Sequence, residues 1–313
     1  MSKDYKYLFG PVPSRRLGMS LGVDLVLPKT CSLDCVYCES GRTTVLTTQC
    51  SDDVPSGEVI QELSVYLSSH PDLDYITFSG CGEPLLNKGI SDVVRFLKSQ
   101  FSEYSLALLT NGTLFYRNEI RKNVLDIDVI VASLDAVSEN VFKQVNRPDP
   151  GLDPQTIIKG LIDLRQEFTH ELWLEIFIVP GLNDTHEELE KLSEAARNIG
   201  ADRIQLNSLD RPGTETWVKT LEPSERQRVL DYFSGIEIIG THAEFEQKKL
   251  ISDEKDVENK ILGLIKRRPC TVEDIELSIP VGKPLLKSCL GHLCDQGLVT
   301  SEKQKRGEFY RTT

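Results

Sequence analysis

Residues 22–38 read Gly22-Val-Asp-Leu-Val-Leu-Pro28-Lys-Thr-Cys31-Ser-Leu-Asp-Cys35-Val-Tyr-Cys38. An aliphatic run, Gly22–Leu27, has the composition of a buried parallel strand. Pro28 breaks it. Three cysteines then fall within eight residues, so CxxxCxxC lies on a loop at the carboxyl end of the strand. Three thiolates this close in sequence can surround one metal centre. Structural zinc takes four protein ligands, and the nearest candidate for a fourth is Cys50. A four-iron, four-sulfur cube held by three cysteines instead leaves one iron open to a small molecule.

Further strand patterns follow at Tyr75–Ser79, Leu106–Thr110, Val129–Leu134, Leu172–Val179 and Arg203–Leu206. Helical patterns separate them at Ser56–Ser69, Ile90–Gln100, Arg117–Asn123, Pro154–Phe168 and Thr185–Ile199. Pro55, Pro154 and Pro223 stand near helix starts, and Gly200 stands where a helix ends. Six β–α units in series predict an α/β fold with a parallel sheet, open or curled into a barrel. Such sheets carry their ligands at the carboxyl ends of the strands. Here those ends read Ser79-Gly80-Cys81-Gly82-Glu83-Pro84, Thr110-Asn111-Gly112, Ser133-Leu134-Asp135, Pro180-Gly181-Leu182-Asn183-Asp184 and Asn207-Ser208-Leu209-Asp210-Arg211. Each alone is ordinary turn chemistry; five in one register point to a shared cleft.

The 313 residues suit one large domain and one small one. No apolar run reaches the ~18 residues of a membrane span, and the first ten residues do not resemble a secretory signal. No repeat or low-complexity tract is present. The net charge of −12 is uneven: residues 1–240 carry about −13 and residues 241–313 about +1. An acidic barrel argues against a polyanion as its main ligand. Eight cysteines without a signal peptide are expected in a reducing, cytoplasmic compartment. Cys81, Cys270, Cys289 and Cys294 read as buried thiols. The histidines form no ligand pattern.

CxxxCxxC with Tyr37 before its third cysteine resembles the radical S-adenosylmethionine (SAM) superfamily. The Gly80-Cys81-Gly82-Glu83 segment is similar to that superfamily's Gly-Gly-Glu segment at the end of its second strand. Gly10–Gly18, Lys29-Thr30-Cys31, Thr110-Asn111-Gly112, Ser133–Ala136 and Asn146-Arg147-Pro148 resemble wyosine (tRNA imidazo-guanosine) synthase-like proteins. Those synthases carry a second cluster upstream, and this chain has no cysteine before Cys31. The resemblance implies a (β/α)6 partial barrel over residues 1–240. It also implies a [4Fe–4S] cluster on Cys31, Cys35 and Cys38 that accepts an electron from a donor such as flavodoxin or ferredoxin. SAM on the open iron is then cleaved to methionine and a 5′-deoxyadenosyl radical, which abstracts a substrate hydrogen. Gly80, Gly82 and Glu83 are expected at the SAM amino group, with Tyr37, Asn111 and Ser133 toward its methionine or ribose end. Asp135 is expected on a ribose hydroxyl or as the N-cap of the segment at Val137. Leu182 is expected on the adenine, and Asn207 and Arg211 on the substrate side. Arg211 is expected either on a carboxylate of substrate or SAM, or in a solvated salt bridge. Arg15 and Arg16 could clamp an anion or lie solvated.

Residues 241–255 read as a charged connector. Residues 256–313 read as three helices, Val257–Arg267, one starting at Thr271 and Lys283–Gln296, followed by a hairpin, a winged helix-turn-helix pattern. Its Lys303, Lys305 and Arg306 place a basic wing. With 10 basic and 8 acidic residues, this unit could contact protein or peptide, RNA or DNA. The substrate is expected to be a small molecule, peptide or RNA, with no membrane partner. Two other readings are a tRNA-modifying enzyme and an iron–sulfur-sensing DNA-binding regulator.

Overall fold

The computed structural model describes residues 5–239, 254–279 and 281–313. The bulk of the connector expected over 241–255 lies outside them. Eight strands form one sheet: β1 (Leu8–Ser14), β2 (Gly18–Asp24), β3 (Tyr75–Ser79), β4 (Ser105–Thr110), β5 (Val129–Ser133), β6 (Glu171–Phe177), β7 (Arg203–Asn207) and β8 (Glu237–Ile238). Their spatial order is their sequence order. A doubly wound sheet reverses its order at a switch point; this one never does. β1 and β2 are antiparallel, and every later neighbour is parallel.

Between strands run helices α1 (Ser56–Leu67), α2 (Ile90–Gln100), α3 (Asn118–Lys122), α4 (Glu139–Val145), α5 (Pro154–Glu167), α6 (His186–Ile199) and α7 (Pro223–Leu230). Pro154 takes the first turn of α5, whose Asp153 cap accepts from the Thr156 amide. α6 is capped by Thr185 and ends at Gly200. Alternate strand residues face the helices. Ile76, Phe78, Leu106, Leu108, Ile130, Leu172 and Leu174 pack with Leu63, Leu97, Leu161 and Leu192 in the main core.

The opposite face is concave, as one contact shows. Leu17, in the turn between β1 and β2, packs with Ala107, Val129, Val131 and Trp173 of β4, β5 and β6. A residue beside β2 reaches strands several places away only if the sheet curls. β1 and β8 do not pair with each other, so the curl stays open: an α/β partial barrel.

The sequence reading places no strand over β1, which carries Pro11 and Pro13. Here it is an edge strand, where proline is tolerated. β2 starts at Gly18 rather than Gly22; Leu25 leaves the sheet but stays buried. The short α4 and the two-residue β8 were also missed.

From residue 254 onward come α8 (Glu254–Ile265), β9 (Cys270–Thr271), α9 (Val272–Ser278), α10 (Lys283–Asp295), β10 (Val299–Gln304) and β11 (Gly307–Thr312). Thr271 and Asp274 form a capping box at the start of α9. The three strands lie in the order β9-β11-β10. A second apolar core gathers Val257, Ile261, Ile275, Leu286, Leu290 and Val299, with Val12 of β1 leaning on it.

Candidate cofactor-binding site

Cys31, Cys35 and Cys38 follow β2 on a loop fastened at several points. Thr30–Cys31 bridges to Val45–Leu46. The Asp34 amide donates to the Asn146 carbonyl (3.0 Å) and the Val36 amide to that of Val145 (2.9 Å). The Thr214 hydroxyl donates to the Cys38 carbonyl (3.1 Å). All three thiols are free. Burial pushes Cys31 up to about 12 and raises Cys35 and Cys38 as well. A thiol in such surroundings becomes a thiolate when a cation is bound to it.

The Gly80–Glu83 segment lies directly against this loop. A Cβ on Gly82 would stand 2.3 Å from the Thr30 carbonyl oxygen, and Gly80 has φ +125°. Both positions demand glycine. The Glu83 amide donates to the Thr30 carbonyl (3.0 Å). Its carboxylate, 2% exposed, accepts from the Leu85 amide (3.0 Å), the Thr110 hydroxyl (2.6 Å) and the Asn111 amide (2.8 Å). Burial raises Glu83 to about 7, against the pull of those donors. Glu83 thus joins the ends of β3 and β4 to the cysteine loop.

A second buried acid holds the loop from the other side. Asp135, past the end of β5, accepts from the Tyr37 hydroxyl, from Asn146 Nδ2 (2.7 Å) and from the Phe177 amide (2.9 Å). Burial raises it to about 6. The Tyr37 ring stacks on Phe177 with centroids 3.7 Å apart. Asp135 is not an N-cap, because Glu188 accepts the Val137 and Ser138 amides (2.6 and 3.0 Å). Asn111 Nδ2 lies 3.4 Å from Cys31 Sγ, and Asn146 Nδ2 the same distance from Cys35 Sγ.

Ser133 ends β5 on the concave side. Leu182 packs against the Tyr37–Phe177 cluster. Asn207 ends β7 and bonds the half-buried Glu175, whose carboxyl Arg16 holds below its ordinary range against the push of desolvation. Arg211 departs from expectation. It is 0% exposed, so it is no solvated pair. Its guanidinium ion-pairs with Asp274, donates to the Pro269 carbonyl (3.0 Å) and lies 3.5 Å from Glu39. Arg15 and Arg16 are also largely buried, against Asp210 and Glu175. In the turn between β10 and β11, Arg306 folds onto Asp210 and Asp274, and Lys305 reaches Glu222 (3.3 Å). Asp210 and Glu222 belong to the barrel and Asp274 to α9. Arg267 pairs with Asp24 (2.6 Å), whose other oxygen accepts from the Cys81 amide (3.3 Å). The sequence reading assigned no role to Asp274, Glu175 or Arg267, and it placed Asn146 only within the Asn-Arg-Pro triplet of the resemblance, without a role at the site.

The donor set suits an iron–sulfur cluster. Cys50, the nearest candidate for a fourth zinc ligand, turns its thiol to the Leu85 carbonyl (3.6 Å). The Lys29 ammonium is buried without a hydrogen-bond partner among the described residues, and its charge acts on Cys38. Such a cation calls for an anionic neighbour, and a thiolate-held cluster is one.

A family profile described as the radical SAM superfamily matches residues 25–195. UPF0026 protein MJ1312 of Methanocaldococcus jannaschii is 31% identical over 86% of this chain and 84% of its own length. A Brachyspira hyodysenteriae protein named GTPase Obg is 34% identical over 95% of this chain, which spans 44% of that protein. A radical SAM methyltransferase from Sphaerobacter thermophilus superposes with a TM-score of 0.53 at 17% identity, covering 70% of this chain and 65% of that one. That likeness is one of fold. The chain belongs to the radical SAM superfamily, whose members are enzymes that use a [4Fe–4S] cluster and S-adenosylmethionine.

Proposed function

We propose that this chain is a radical SAM enzyme whose cluster is held by Cys31, Cys35 and Cys38, with one iron left to SAM. The observation that carries the reading is the clasp of Glu83. One buried residue ties three adjacent strand ends together: its amide donates to Thr30 at the start of the cysteine loop, and its carboxylate accepts from Leu85 and from the Thr110–Asn111 turn. When bound, the cluster and SAM supply the one-electron chemistry that yields a hydrogen-abstracting 5′-deoxyadenosyl radical.

The chain's own residues bind and orient. Gly80 and Gly82 bring backbone close to the cysteine loop, where a SAM amino group can meet main-chain carbonyls. Glu83 is fully engaged by protein donors, so its part is to hold that backbone in place. Tyr37 and Asp135 fix the far side of the loop, and Ser133, Asn207 and Leu182 border the concave face. The apolar layer of Leu17, Val131 and Trp173 closes its floor and excludes water. The three helices and hairpin after residue 254 support a winged-helix type of module seated over this mouth.

The test is anaerobic incubation of the iron-loaded chain with SAM and dithionite, assayed for 5′-deoxyadenosine. Product from the wild type and none from Cys35→Ala supports the reading. No product above that control, with the iron retained, refutes it and leaves a regulator in which the fold has lost its chemistry.

A further inference from the structure

This inference rests on the cluster ligands proposed above. Two amide side chains, from different parts of the chain, face two of the three thiols. Asn111 follows β4. Its Nδ2 lies 3.4 Å from Cys31 Sγ and 2.9 Å from Ser32 Oγ. Its Oδ1 accepts from the Thr113 amide (3.0 Å) and hydroxyl (2.8 Å). A backbone amide can only donate, so Oδ1 is fixed toward Thr113 and the NH2 toward the sulfur.

Asn146 caps the carboxyl end of α4 and is 2% exposed. Its Nδ2 lies 3.4 Å from Cys35 Sγ and 2.7 Å from Asp135 Oδ2. The carboxylate accepts there, so this amide too presents its NH2 to sulfur. Its backbone carbonyl accepts from the Asp34 amide inside the cysteine loop. Asn146 Oδ1 has no partner among the described residues. Burying an amide with half of it unsatisfied is costly, and no apolar packing requires an asparagine there.

A donor to a ligand sulfur stabilises negative charge on the cluster. Reduction adds one electron, so the donor favours the reduced form and raises the potential. We propose that Asn111 and Asn146 are positioning residues that set the cluster's reduction potential through side-chain N–H bonds to Cys31 and Cys35 Sγ.

The test is an EPR-monitored redox titration of the iron-loaded full chain, with iron and sulfide counted, for the wild type and for Asn111→Ala, Asn111→Asp, Asn146→Ala and Asn146→Asp. Each Ala variant removes a donor, and each Asp variant also adds negative charge at nearly the same shape. The expected order of potential is wild type, then Ala, then Asp. At fixed applied potential the ratio of reduced to oxidised cluster should fall about tenfold in an Ala variant, which is 59 mV for one electron. Loaded variants that titrate at the wild-type potential overturn the proposal, even where their iron content falls. Should Asn146→Ala fail to load, the Asn111 pair carries the test alone. Shifted potentials in a chain that forms no 5′-deoxyadenosine sustain this inference while refuting the enzymatic reading. A wild type that takes up no four-iron cluster overturns both.

Discussion

Glu83 shows how one residue couples the fold to pH. Burial lifts its carboxyl from 4.5 to about 7. Folding therefore takes up a proton between those values. The stability Glu83 contributes is full below pH 4.5 and is lost as pH rises through about 7, a change on the order of 3 kcal/mol. Glu83→Gln cannot titrate, so the gap between wild type and variant should narrow from pH 5 to pH 8. Urea unfolding of the chelator-treated chain measures it, followed by the fluorescence of Trp173 and Trp217, the chain's two tryptophans; a flat gap contradicts it. Gly82→Ala tests the backbone contact. Its Cβ would meet the Thr30 carbonyl at 2.3 Å, so the Glu83–Thr30 hydrogen bond must break. A loss of about 1–3 kcal/mol is expected, together with lost iron uptake, whereas Gly57→Ala in α1 should bind iron normally, since its Cβ meets nothing within 4 Å and its backbone is helical. CxxxCxxC and the glycine–glutamate segment were legible because their chemistry depends on local spacing. The contact of Asn146 with Cys35, 111 residues away, was not.

The turn between β1 and β2 is the element whose role the sequence concealed. Arg15 and Arg16 look like a solvated pair in front of a strand. Folded, the turn enters the concave face, with Leu17 on its floor and Arg16 against the half-buried Glu175. Leu17→Ala should cost about 2–5 kcal/mol through the cavity it leaves. Arg16→Met strands the half-buried Glu175 carboxylate and should cost about 1–3 kcal/mol. Adding Glu175→Gln to Arg16→Met should recover part of that loss, because it removes the unpaired charge. Thermal unfolding of the three variants checks the order, and a double variant no more stable than Arg16→Met contradicts it. The helices were easier to read. Ile90–Gln100 and Pro154–Glu167 pair periodic apolar faces with end signals, and both are local.

Across the whole molecule, buried and half-buried ion pairs seat the C-terminal unit on the barrel mouth. Arg211 meets Asp274, Arg306 meets both Asp210 and Asp274, and Arg267 meets Asp24 beside the glycine segment. These pairs join two separate apolar cores. Asp274→Ala with Arg267→Ala should therefore uncouple them. Tryptophan fluorescence, which reports only the barrel, should then unfold at a different urea concentration from the far-UV circular dichroism. Coincident transitions in that variant contradict the coupling. The sequence by itself determined the α/β class, the strand series and the three-cysteine loop, because apolar periodicity and ligand spacing are properties of neighbours along the chain. Only the tertiary structure decided that the sheet curls, that the Arg15–Arg16 turn fills its concave face, that Arg211 is held by Asp274, and that two asparagines face the sulfurs. Those facts depend on residues 60 to 160 positions apart meeting in space, and no local pattern encodes which of many distant partners a buried charge or amide will find.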